Sequence, residues 1–128
     1  MAAQLGSLEL DVLVNNAHTA IHKAHFHKTA TATFQDSFER NVAPVLAITG
    51  AAINSFRKRK FGKIITILSS YVANKPPTGL SEYVANKAYL LSMSKAWANE
   101  NARYNITANC ISPSFMLTGS PPIRMSAS

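Results

Sequence analysis

Three short apolar runs, separated by two long stretches of helical spacing, leave this chain few folds to choose from. Leu10-Asp-Val-Leu-Val-Asn15, Lys63-Ile-Ile-Thr-Ile-Leu68 and Asn105-Ile-Thr-Ala-Asn-Cys-Ile111 are brief and read as three strands. The first, rich in β-branched residues and nearly continuously apolar, is expected to be buried on both faces. Between the first two, Phe34, Phe38, Val42, Val45/Leu46, Thr49, Ile53 and Phe56 recur every three or four positions and predict one long helix. Thr33 is its expected N-cap, and the basic run followed by Gly62 its expected stop. Pro44 interrupts the stripe: it has no N–H, and its ring crowds the carbonyl of Arg40, so a kink is expected beside Asn41. The second helix is predicted from a Ser81 cap to about Arg103. It carries two apolar seams, Val84/Ala88/Leu91 and Leu90/Met93/Trp97, one to lie on a sheet and one against another subunit. Strand–helix–strand–helix–strand order implies parallel pairing through right-handed crossovers. The expected fold class is α/β, three strands of a doubly wound sheet.

Composition narrows the function. The length of 128 residues suits one domain, and the 47% hydrophobic fraction excludes wholesale disorder. No apolar run approaches the roughly 18 residues of a spanning helix, and residues 1–11 show no signal-peptide pattern. A single cysteine, Cys110, closes no intrachain disulfide and fits a reducing, cytoplasmic compartment. Buried in an apolar strand with no evident histidine base, it is not read as a nucleophile. Thirteen basic against six acidic residues give a net charge of +7. Yet the only dense basic run, Arg57-Lys58-Arg59-Lys60, reads as a solvated helix C-terminus that suits the macrodipole. Neither a nucleic-acid nor a membrane partner is expected.

Residues 18–33 lack periodicity and read as a long loop or a short helix with loops. It holds His18, His22, His25 and His27, but zinc sites want a fixed scaffold and often a cysteine or carboxylate as well, so no metal is expected. These histidines read instead as a polar loop over the mouth of a site. Lys75-Pro76-Pro77-Thr78-Gly79 is a second loop. Residues 119–128 are small, polar and proline-bearing, and are expected to form a disordered tail.

The spacing with most chemistry in it is Tyr83-Val-Ala-Asn-Lys87. Residues four apart share a helical face, so the phenol and the ammonium project together. A tyrosine titrating near 10 is a weak acid–base catalyst at neutral pH, and a neighbouring cation favours its phenolate. Ser70 lies thirteen residues before Tyr83, where the second strand ends. Asn41 sits at the proline-perturbed turn, and Asn15-Asn16-Ala17 ends the first strand. All converge on the C-terminal edge of one sheet, where open α/β folds bind ligands.

With these motifs in hand, the sequence resembles the short-chain dehydrogenases/reductases of the classical type, and within them the 3-oxoacyl carrier-protein reductases. Leu13-Val-Asn-Asn-Ala17, Asn41 in Asn-Val-Ala-Pro, Ile67-Leu-Ser-Ser70 with Tyr83-x-x-x-Lys87, and Asn109-Cys-Ile-Ser-Pro113 through Thr118 carry the resemblance, over about residues 5–118. It implies a partial Rossmann-like sheet and an oxidoreductase using NAD or NADP to interconvert a carbonyl and a secondary alcohol. It further implies that Tyr83 passes the proton and that Lys87 supports it and holds the nicotinamide ribose. Ser70 would bind the substrate carbonyl, and Asn41 would anchor a relay water through its main chain. Asn15, Ala17, Ile111, Pro113 and Thr118 would line the cofactor crevice, in a homo-oligomeric dimer or tetramer. Three departures stand out. No Thr-Gly-x-x-x-Gly-x-Gly phosphate loop occurs among the five scattered glycines, His18 replaces the usual glycine after Asn-Asn-Ala, and Ser114 replaces one after Pro113. The resemblance is thus to the C-terminal half of a longer domain. The competing expectation is a catalytically inactive piece that retains only the helices used for oligomerisation.

Overall fold

The computed structural model describes residues 10–16, 23–69, 75–113 and 123–127. Strand β1 is Val12–Asn15, helix α1 Thr31–Asn41, α2 Ala43–Arg59, β2 Gly62–Ile67, α3 Ser81–Asn101, β3 Ile106–Pro113 and β4 Ile123–Ala127. Single 3₁₀ turns precede α1, at Phe26–Lys28, and follow α3, at Ala102–Tyr104. The strands lie in the order β1-β2-β3-β4. The first three are parallel, with Asn15 beside Thr66 and Thr66 beside Cys110. The parallel α/β arrangement is the one the sequence predicts.

Four details differ. The single long stripe is two helices separated at Val42, because Pro44, second in α2, cannot donate to the Arg40 carbonyl. Helix α1 begins at Thr31, so Thr33 lies inside it and caps nothing; Ser81 likewise is already helical, behind Leu80. Helix α2 stops at Lys60, which takes the left-handed conformation at φ 57°. Gly62 is instead the first residue of β2. A Cβ there would stand 2.2 Å from ring carbons of the fully buried Phe56, so a side chain is excluded by contact and not by backbone conformation. Finally, residues 123–127, expected to be disordered, form β4 antiparallel to β3. Alternating Ile, Met and Ala positions supply the strand period that small and polar neighbours obscure.

One face of the sheet is covered. Leu13, Ile64, Ile106 and Ala108 pack with Ala52 and Phe56 of α2 and Trp97 of α3. Nearer the C-terminal strand ends, Val42, Leu68, Leu90 and Cys110 form a second cluster, with Leu91 against it. The expected burial of the first strand on both faces is not seen: Val12 is 44% and Val14 54% exposed on the opposite face. Of the two seams of α3, Leu90/Met93/Trp97 meets the sheet, while Val84 and Ala88 are half-buried. The basic run is less solvated than expected. Arg57 donates to Asn101 Oδ1 at 2.7 Å and lies 4.3 Å over the Tyr104 ring, and Arg59 pairs with Asp11 at 2.7 Å.

Candidate active site

The site is built where β1, β2 and β3 end. Gly79, at φ +89°, turns the chain into α3, and its carbonyl accepts from the Ala24 N–H at 3.0 Å, tying the two loops together. Leu80 is buried beneath that turn, and its carbonyl starts the helix by accepting from Val84 N–H at 2.9 Å. Tyr83 and Lys87 follow on one face. Lys87 Nζ lies 5.8 Å from the centre of the Tyr83 ring.

Lys87 is only 4% exposed, unusual for a lysine. Its ammonium donates to the carbonyl oxygen of Ile67, the last residue of β2, at 3.1 Å. Burial disfavours the charged form and holds the Lys87 pKa below its ordinary 10.5. An ammonium has three N–H donors; among the described residues one is used by Ile67.

Asn41 is 4% exposed at the break between α1 and α2. Its Nδ2 turns back one helical turn, donating to the Ser37 carbonyl at 2.9 Å and to Ser37 Oγ at 3.3 Å. Ser37 Oγ also accepts from Asn86 Nδ2 at 2.9 Å. Three buried polar side chains thus join α1 to α3 immediately before Lys87. Neither Ser37 nor Asn86 stood out in the sequence. The available signal was faint: a serine one turn before Asn41, and an asparagine inside an otherwise small-residue Tyr-x-x-x-Lys segment.

Asn15 is buried on the helix-facing side, donating through Nδ2 to Thr49 Oγ1 at 3.1 Å. Ile111 pairs in register with Ile67, and Leu68 N–H donates to its carbonyl at 2.8 Å, so the β2–β3 ladder runs past the strand end at Lys87. The parallel pairing ends at Ile111, and Pro113, the last residue of β3, pairs with Ile123 of β4. Ser69 is buried beside these residues. Ala17, Ser70 and Thr118 lie outside the described residues, as do His18, His22 and Ser114. His25 and His27 touch edge to face at 5.7 Å. Among the described residues no group of three His, Cys, Asp or Glu could hold a metal, and no helix is long and apolar enough to cross a membrane.

The sequence pattern of the short chain dehydrogenase family matches residues 2–122. The chain is 34% identical over 107 residues to nodulation protein G of Rhizobium sp. (strain N33), covering 84% of this chain and 43% of that one. It is 34% identical over 110 residues to the 3-oxoacyl-acyl-carrier-protein reductase FabG of Escherichia coli (strain K12), covering 86% and 44%. Among solved structures, NAD+-bound xylitol dehydrogenase superposes with a TM-score of 0.77 at 25% identity, over 87% of this chain and 42% of that one. The chain spans less than half the length of the curated relatives it matches.

Proposed function

The chain belongs to the short-chain dehydrogenase family, and from that premise we propose that it carries the proton-transfer half of a carbonyl–alcohol oxidoreductase site. Tyr83 gives the proton to, or takes it from, the substrate oxygen. Lys87 supplies the positive charge one helical turn away and holds the ribose hydroxyls of a nicotinamide cofactor. Ser70 binds the substrate carbonyl, and the main chain at Asn41 anchors a relay water. Asn15, Ala17, Ile111, Pro113 and Thr118 line the cofactor crevice; the buried amide of Asn15 is engaged with Thr49, which leaves its backbone for that role. The segment up to 118 is read as the C-terminal half of the catalytic domain, working as a homo-oligomer in a cytoplasmic, reducing compartment.

One observation carries this reading: a lysine 4% exposed, at the strand ends, beside a tyrosine on the same helical face. A cation this deeply buried, held among the described residues by one carbonyl, is an expensive arrangement for a purely structural residue. With three N–H donors, one of them given to Ile67 among the described residues, Lys87 suits a pair of vicinal hydroxyls. The residues present therefore fit the ribose and nicotinamide end of NAD(H) or NADP(H). When bound, that cofactor supplies the hydride; this chain's residues orient the oxygen and move the proton. The phosphate end has no counterpart here, since no glycine-rich loop occurs in the sequence.

Fluorescence titration of the chain with NADPH and NADH tests the reading. Saturable binding is expected. Tyr83→Phe is then expected to abolish reduction of a 3-oxoacyl thioester while leaving cofactor affinity within about threefold, since the ring stays and only the transferable proton is lost. An unchanged rate removes Tyr83 from the mechanism. A second reading, association without turnover, is favoured by the half-buried Val84 and Ala88 on α3. Absence of saturable binding, with a dimer or tetramer in solution, would select it.

A further inference from the structure

We infer that Asn86 is a positioning residue: acting through Ser37, it sets where the peptide at Asn41 stands relative to Lys87. The inference rests on the reading of Asn41 as the relay anchor given above.

Helix α1 is not extended rigidly from α2. Val42 is the non-helical residue between them, bonded to Phe38 on one side and to Leu46 on the other, and Pro44 withholds the N–H that the Arg40 carbonyl would use. The placement of α1 therefore draws on what it touches in α3: besides the apolar packing of Phe38 on the cluster that holds Leu90 and Leu91, two specific side-chain contacts are described. The Phe38 ring meets the Tyr89 ring edge-on at 5.2 Å, but Tyr89 is 41% exposed, and such a contact tolerates sliding. The other contact is directional and buried: Asn86 Nδ2 to Ser37 Oγ at 2.9 Å, with Ser37 fully inaccessible.

That hydroxyl is the joint. It accepts the Asn86 amide from α3 and the Asn41 amide from the end of α1, one for each lone pair. On the other side of Asn86 stands Lys87, whose ammonium is bonded to Ile67 at the end of β2. A path therefore runs from the sheet edge through Lys87, along the main chain of α3 to Asn86, and by buried hydrogen bonds through Ser37 to the helix break. Apolar residues at 37 and 86 could fill the same space without desolvating three polar side chains. They would not fix the register of one helix on the other, which is the best-attested use of a buried polar contact.

The test has two arms. In the first, ¹⁵N-labelled chain is followed by hydrogen exchange, which needs no activity. Asn86→Ala is expected to move the Asn41 side-chain amide resonances. It should also speed exchange at Val42 and Leu46 roughly tenfold, with Ile64 and Ala108 in the sheet unchanged. Ser37→Ala should do the same, and the double variant should add little to either. Wild-type exchange at Val42 in both single variants, or full additivity in the double, overturns the inference. Should Asn86→Ala fail to fold, Asn86→Ser keeps a polar group that is too short to reach Ser37; wild-type exchange at Val42 in that variant overturns it equally. In the second arm, NADPH-dependent reduction of a 3-oxoacyl thioester is measured. Asn86→Ala should lower kcat and shift its pH profile while the KM for NADPH stays within twofold of wild type, roughly the scatter of an untouched binding site. A rise in KM with kcat preserved overturns the positioning role. A wild-type chain that neither binds nor oxidises NADPH removes the function proposed above, and the exchange arm still decides the Asn86–Ser37 tie.

Discussion

The ammonium of Lys87 donates to the carbonyl oxygen of Ile67 at 3.1 Å, which ties the second turn of α3 to the last residue of β2. The bond places a buried cation at the strand edge with its Tyr83 neighbour 5.8 Å away, measured to the ring centre.

Burial makes the stability of this chain depend on pH through Lys87. Its folded pKa lies below the ordinary 10.5, so between the two values the unfolded chain binds more protons than the folded one. Stability then rises with pH across that window. At lower pH, Lys87 is charged in both states and the folded chain bears the cost of the buried ammonium; above 10.5 that cost is lifted. Urea unfolding of wild type and Lys87→Met between neutral pH and about 10.5 isolates the effect. The wild type should gain stability relative to the variant as pH rises. A difference that stays flat would show that the ammonium remains solvated.

Gly62 and Phe56 make a second, purely steric prediction. A Cβ on Gly62 would stand 2.2 Å from two carbons of a ring that has no exposed surface into which to retreat. Gly62→Ala should cost on the order of 2–3 kcal/mol, typical of overpacking at a rigid site. Phe56→Leu made in the same chain should cost less than it does alone, because the smaller side chain relieves the clash. Denaturant midpoints of the four proteins read both quantities, and strict additivity would mean that the ring moves aside freely.

Thr66 offers the opposite sign. It is fully buried in the middle strand, and its hydroxyl meets no hydrogen-bond partner among the described residues. Thr66→Val keeps the shape and removes the unpaired group. It should stabilise the chain by about 1 kcal/mol, the lower end of what an unmade buried hydrogen bond costs. A loss of stability on calorimetric melting would reveal a partner for that hydroxyl.

Local periodicity carried most of the architecture. Apolar runs and three-to-four-residue stripes are set by neighbours within one or two turns, so strand order, parallel pairing and the shared face of Tyr83 and Lys87 were legible residue by residue. Pro44 announced the break beside Asn41 through its missing N–H. Helix ends read less well. The start at Thr31, the left-handed Lys60 and the fourth strand at 123–127 depend on packing that propensity only weakly anticipates.

The sequence by itself determined the order of the elements, the α/β class and the motifs of the family, because each is written in spacings of a few residues. Only the tertiary structure decided that Lys87 is buried, that Asn15 bonds to Thr49, and that Asn86 reaches Ser37. Those last two contacts join residues 34 and 49 positions apart. No period or composition encodes them. They exist because two helices and a strand edge are brought within hydrogen-bond reach, where a polar side chain removed from water must find a partner.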